Sequence, residues 1–234
     1  MQKQLDTKKP EISLQIAPEL QYLNPDSILP SPYQPRTWFD PDQIKDLSLN
    51  IEKYGLIHPI STRPVNKHFE LLGGERRLRA VKLLEWETIR TEVRDVPDDI
   101  ARGIVLSENL KREDLTAIEE IKSIALWIDH CLQDDPTYQE LRIPDRFSFQ
   151  WKDNPAEMQK LAYLLMKLEN ARRRIENDLS NKFVGQIEQA FLTLPIPIEW
   201  QSFYLHDLQP YIKMDEEVKV FAVKHKLNLS QKSR

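Results

Sequence analysis

Ile44, Leu47 and Ile51 recur at helical spacing inside "FDPDQIKDLSLNIEKYGL", a stretch whose two ends are both marked. Asp40 is the expected N-cap, Pro41 fits the first helical position, and Gly55 suits the left-handed residue that stops a helix. The pattern then switches. "IHPISTRPV" and "HFELLGG" alternate as two short strands around the turn residues "NKH", which predicts a hairpin running straight into two glycines. From Glu75 the helical period returns, with Leu78, Val81, Leu84 and Trp86 on one stripe, and "TIRTEVRDV" alternates as a further strand. "PDDIARGIVLSENL" reads as a helix with acidic residues at its start, where the helix dipole favours them.

A capping box, Thr116 with Glu119, opens the long amphipathic stretch "LTAIEEIKSIALWIDHCL". Beyond about residue 115 no alternating stretch follows, only helical segments such as "PAEMQKLAYLLMKLENARRRIEN" and "DEEVKVFAVKHKL", broken by "LPIPIEW". Before residue 23, Pro10 and Pro18 interrupt any regular pattern, and "ILPSPYQPR" reads as a proline-rich loop. The expected fold class is α+β, a small mixed domain followed by an all-helical one. The expected division is a flexible arm over 1–22, an α/β domain over 23–115 and a helical domain over 116–234.

Charge narrows the function classes. Lys plus Arg number 33 against 37 Asp plus Glu, a net −4, so any nucleic-acid contact must be local. No apolar run reaches a spanning helix and the start "MQKQLDTKKPE" is polar, which points to the cytoplasm with no membrane partner. The lone Cys131 rules out an internal disulfide framework and a cysteine zinc cluster, and is expected to be a buried structural thiol.

Against that background "LLGGERRLRA" stands out. A helix N-terminus already carries partial positive charge, so Arg76 and Arg77 in the first turn work against it unless a polyanion completes the site. The glycines would let phosphate approach the backbone. The other reading is that these arginines are solvated or paired with nearby glutamates. The stretch lacks the ending of a P-loop and is not the dinucleotide-binding glycine pattern. A second cluster, "SENLKRED" over 107–114, is expected in the break between two helices. Glu108 and Asn109 offer hard oxygen ligands for magnesium beside phosphates, and Lys111 and Arg112 two more cations, although a solvated turn has the same composition.

With "GLIHPISTRP", "LLGGERRLRA" and "SENLKREDLTAIEE" in this order, residues 23–121 resemble the N-terminal domain of ParB-type partition proteins, within the ParB/sulfiredoxin fold superfamily. The resemblance implies a CTP-binding module that, with magnesium, gates a dimeric DNA clamp. By that likeness Gly55, Leu56, Ile57, His58 and Pro59 border the base or sugar. Gly74, Glu75, Arg76, Arg77 and Arg79 surround the phosphates, joined by Ser107, Lys111 and Arg112. Glu108 and Asn109 meet the metal, and Glu108 and Glu75 are the catalytic candidates for a slow CTP hydrolysis. Lys111 stands where the family often has glutamine, and His58 at a variable position. Sulfiredoxin chemistry needs a cysteine in the second motif, where this chain has Glu75 and arginines.

The resemblance further implies a nucleotide-dependent homodimer, DNA as partner, a ParA-type ATPase as a second one, and association with nucleoid or plasmid. A helix-turn-helix is expected in the helical half, yet only "DEEVKVFAVKHKLNLSQKSR" begins like one. Charges balance after residue 120, and Arg172, Arg173 and Arg174 form the one tight basic run there. They either touch DNA phosphates or lie on a solvated face paired with Glu169 and Glu176. Two other classes stay open: a ParB-like nuclease, which would gather several carboxylates around metal, and a non-enzymatic adaptor of the same fold.

Overall fold

The structure, a computed structural model, describes residues 18–36, 38–112, 115–174, 180–194 and 196–227. It has the expected α+β character, a mixed sheet with its helices and then helices alone. Two compact units can be separated. One comprises the described residues of Met1–Leu29 and Lys45–Val96, the other those of Pro30–Ile44 and Pro97–Arg234.

The first unit is built on strands β1 (Glu19–Leu23), β2 (Ile28–Leu29), β3 (Ile60–Val65), β4 (His68–Gly73) and β5 (Ile89–Val93), in the spatial order β1-β5-β3-β4-β2. β3 and β4 form the hairpin, closed at Asn66 and Lys67 with Asn66 at φ 54, a left-handed position that asparagine tolerates. β5 runs parallel to β3, and the connection from β4 carries α2 (Glu75–Leu83). β1 lies antiparallel to β5 at one edge, with Glu19 opposite Val93, and β2 runs parallel to β4 at the other. Glu19–Leu23 thus belongs to the sheet, while residues 1–17 lie outside the described ones.

Helix α1 (Pro41–Tyr54) has the marked ends the sequence announced. The Asp42 amide donates to Asp40 Oδ1 at 3.1 Å, and Gly55 ends the helix at φ 78. Ile51, Ile60, Leu72, Leu78, Val81 and Ile89 are buried in this unit. Between them lies one buried ion pair: opposite each other on β3 and β4, Arg63 donates Nε and a terminal nitrogen to Glu70 Oε2 at 2.8 and 2.6 Å.

The second unit contains the helices from α3 (Asp98–Leu110) onward. α4 (Ala117–Leu132) is followed by short α5 (Pro136–Gln139) and α6 (Asp145–Gln150), then α7 (Ala156–Arg174) and α8 (Ser180–Leu192). After them come α9 (Trp200–Ser202), a π-helical stretch Phe203–Leu208, α10 (Gln209–Ile212) and α11 (Glu216–Lys224). Both halves of the Thr116/Glu119 capping box are present. Ile118, Ile121, Ile124, Ile128, Leu161, Leu165, Phe203 and Leu208 share one core. Cys131 does not join it. Ile128 and Leu132 take the core side of α4, which leaves Cys131 exposed with its Sγ 3.8 Å from Thr193 Oγ1.

Several buried polar side chains of this unit are joined in hydrogen-bonded networks. Arg102 of α3 reaches Asp129 of α4 at 2.5 Å and Gln133 at 2.9 Å, and Tyr138 donates its hydroxyl to Asp129 at 2.7 Å. Tyr33 lies under the Arg102 guanidinium and bonds Asp98 at 2.8 Å, which fastens the stretch after β2 to α3. Lys219, buried, donates to Asn154 Oδ1 at 2.6 Å and meets Glu216 at 3.4 Å. No described helix is long and apolar enough to cross a membrane.

Candidate functional site

In the first unit the chain leaves β4 through Gly73 and Gly74 and enters α2 without a side-chain cap. Gly74 sits at φ 97, and its carbonyl accepts from the Arg77 and Leu78 amides at 2.9 and 3.0 Å. The amides of Glu75 and Arg76, one step earlier, have no acceptor within the helix. The pairing of β3 with β4 shifts register here, Ser61 lying opposite Gly73 but Thr62 opposite Leu71, so that β4 carries one extra residue, Leu72, next to the glycines. The result is a helix start that presents bare N–H groups, the arrangement that binds anions.

Glycine is required at position 74 for two reasons. A Cβ there would stand 2.8 Å from Ile60 Cγ2 and 3.0 Å from an Arg77 nitrogen, and φ 97 is strained for any L side chain. Gly74→Ala is expected to cost about 1–3 kcal/mol in urea unfolding. Gly185→Ala, where the added atom meets nothing within 4 Å, should stabilise slightly, because alanine is the better helix residue.

The three arginines divide their tasks. Arg77 donates from one terminal nitrogen to the carbonyls of His58, at 2.9 Å, and of Pro59, so it ties the loop after α1 to the start of α2. Arg79 pairs with Glu75, Nε to Oε1 at 2.8 Å one turn apart. Arg76, half-buried, makes no ion pair or side-chain hydrogen bond among the described residues. Glu75 is buried, and its second oxygen has no partner among the described residues. Of the loop residues, Gly55, Ile57 and His58 are exposed, Leu56 and Pro59 half-buried. The first two motifs are therefore brought together, with Arg77 as the link. The pairing of Arg79 with Glu75 is the glutamate alternative left open by the sequence, whereas the carbonyl bonds of Arg77 are not visible in the sequence pattern.

The third motif lies in the second unit and is divided: Ser107 to Leu110 finish α3, as the helical reading of "PDDIARGIVLSENL" has it, and Lys111 and Arg112 lie at the break after it. Ser107, Glu108 and Asn109 are in the last turn of α3, which has neither glycine nor proline to stop it and keeps burying Val105, Leu106 and Leu110. Lys111 is the C-cap. Asn109 is 1% exposed, and its Nδ2 donates to the Val105 carbonyl at 2.8 Å, which orients an Oδ1 that has no partner among the described residues. Glu108 and Lys111 are exposed, Ser107 and Arg112 half-buried. Among the described residues no three His, Cys, Asp or Glu side chains gather as a metal cluster.

Arg172, Arg173 and Arg174 end α7, and their side chains lie outside the described ones. Of the expected helix-turn-helix, α11 is present and residues 228–234 lie outside the described ones.

Residues 9–110 match the model of the ParB N-terminal domain. The chain carries a ParB-type N-terminal domain. Its relatives agree with that. The nucleoid occlusion protein of Shouchella clausii (strain KSM-K16) is 41% identical over 138 residues, covering 58% of this chain and 49% of that protein. The nucleoid occlusion protein of Bacillus subtilis (strain 168) is 40% identical over 118 residues, 49% of this chain and 42% of that one. The chain spans about half the length of the curated relatives it matches. Among solved structures, the C-terminally truncated chromosome-partitioning protein ParB from Caulobacter crescentus, complexed with CTP-gamma-S, overlaps 74% of this chain and 99% of its own at 22% identity and TM-score 0.38. The ParB-type assignment accordingly covers the N-terminal domain alone.

Proposed function

We propose that this chain is a ParB-like DNA-binding partition protein, in which CTP and magnesium gate a homodimeric clamp on DNA. The observation that carries the reading is the start of α2: a glycine-opened helix N-terminus with bare amides beside an Arg76 that makes no ion pair or side-chain hydrogen bond among the described residues. Charge of that kind next to exposed backbone donors is complementary to a triphosphate. Gly55, Leu56, Ile57, His58 and Pro59, held by Arg77, are the residues for the base or sugar. Ser107, Lys111 and Arg112 add to the polar set.

The donor set of α3 fits magnesium. Among the described residues Asn109 Oδ1 is a buried acceptor without a donor, Glu108 is an exposed carboxylate, and magnesium takes one or two protein oxygens alongside phosphates. When bound, the ion neutralises phosphate charge. Glu108 is then the candidate general base for a slow hydrolysis. Glu75, engaged with Arg79, holds the turn that receives the phosphates. In this reading the protein resides in the cytoplasm on nucleoid or plasmid DNA, Arg172, Arg173 and Arg174 contact DNA phosphates, and a ParA-type ATPase is a second partner.

Calorimetric titration with CTP, ATP and GTP in magnesium tests it. Selective CTP binding is expected, and Asn109→Ala should weaken it about tenfold in magnesium and much less in a chelator, as expected for one charge-assisted contact. Failure of every nucleotide to bind, with or without DNA, would overturn the reading.

A further inference from the structure

At the β1 edge of the sheet, a cavity of about 580 Å³ is lined by Tyr22, Leu56, Trp86, Glu87, Thr88 and Arg90. Its size is that of a small-molecule site. It contains none of the glycines or arginines at the start of α2 and shares only Leu56 with the residues assigned to nucleotide. The sheet explains its position. Tyr22 and Arg90 are register partners on β1 and β5, and since Ile89, Thr91 and Val93 point into the core, Arg90 projects from the opposite face.

Two features of the lining point to a ligand. The first is Arg90. Its Nε is shut off from solvent with no acceptor, and the side chain has no ion pair or hydrogen bond among the described residues. Glu92, two residues on, is taken by Arg94 at 3.2 Å, and Glu87 lines the same cavity without pairing to Arg90. Partial desolvation of a guanidinium without a compensating anion is unfavourable, and a carboxylate in the cavity would relieve it. The second is the pair of rings in the lining: Tyr22 is 68% exposed although it lies within a strand, and Trp86 is half-buried. Such rings gain by stacking on a planar apolar body.

We infer that this cavity is a second binding site, for a planar aromatic monoanion of small-molecule size, with Arg90 on its carboxylate and Tyr22 and Trp86 on its ring. A polyanion fits poorly, because Glu87 in the lining repels added negative charge. The site is thus distinct in chemistry from the start of α2, where the carboxylate at hand, Glu75, is paired with Arg79.

The probe is naphthoate, titrated calorimetrically into the full chain beside the neutral naphthamide of the same shape. Naphthoate should bind and naphthamide at least tenfold more weakly, with Arg90→Gln removing that difference. Tyr22→Ala, at an exposed position where folding is not at stake, should weaken both probes. Saturating CTP should leave naphthoate binding in place. Equal affinity for the two probes, no binding of either, or displacement of naphthoate by CTP would overturn the inference. Because CTP binding by the start of α2 is read in the same titration, failure of the nucleotide reading and failure of this one are separate results.

Discussion

Asp129→Ala is expected to destabilise the helical unit by about 3–5 kcal/mol, read as a lowered urea midpoint by far-ultraviolet circular dichroism. The size follows from what is left behind. Asp129 accepts from the Arg102 guanidinium at one oxygen and from the Tyr138 hydroxyl at the other, and all three side chains are buried. Alanine would leave a buried cation and a buried hydroxyl without their acceptor, while Arg102 Nε already has none. The cost is therefore that of a broken network, not of one hydrogen bond. Burial first, and the adjacent Asp129 charge second, push the Tyr138 phenol far above its ordinary value of 10.0. A raised folded pKa means that this contribution is fully present below about pH 10 and fades as pH rises beyond it, because only the unfolded phenol then ionises readily. Tyr138→Phe should flatten that alkaline decline while lowering stability at neutral pH.

The parts of the fold written in local chemistry are the parts the sequence discloses. Asp40, Pro41 and Gly55 delimit α1 because caps and helix stops act within one turn, and Thr116 with Glu119 opens α4 for the same reason. The hairpin follows from alternation around Asn66 and Lys67. β1 and β2 are not disclosed. Leu20 and Tyr22 are exposed, so "ELQYL" buries no alternating face, and β2 is two residues long; both exist through pairing with β5 and β4, far along the chain. The candidate site divides likewise. Two glycines before three arginines are legible as a glycine-opened helix start, but which arginine is left over depends on where the His58 and Pro59 carbonyls fall, and that is set by β3. The extent of α3 through Leu110 is legible in "PDDIARGIVLSENL", where Val105, Leu106 and Leu110 keep the helix on its core; what the polar run conceals is that the helix carries Ser107, Glu108 and Asn109 and leaves Lys111 as its cap.

Arg76→Ala and Arg77→Ala should fail in different ways, although the two residues are neighbours in one motif. Arg76 makes no ion pair or side-chain hydrogen bond among the described residues, so its loss should leave unfolding within about 0.5 kcal/mol of the parent. CTP affinity should nevertheless fall by about 10–100-fold, the worth of a charge-assisted phosphate contact at a helix start. Arg77 donates to two backbone carbonyls, and its removal should cost about 1.5–3 kcal/mol of stability in addition to affinity, since the loop that carries His58 and Pro59 loses its tie to α2. Arg77→Lys keeps the charge but not the planar fork, so it should recover little of either. If instead Arg76→Ala destabilised the fold and left nucleotide binding intact, the unpaired cation would be part of the scaffold and the phosphate would have to be held elsewhere. Unchanged stability with lost affinity would set Arg76 at the phosphates and leave Arg77 as the residue that holds the first two motifs together.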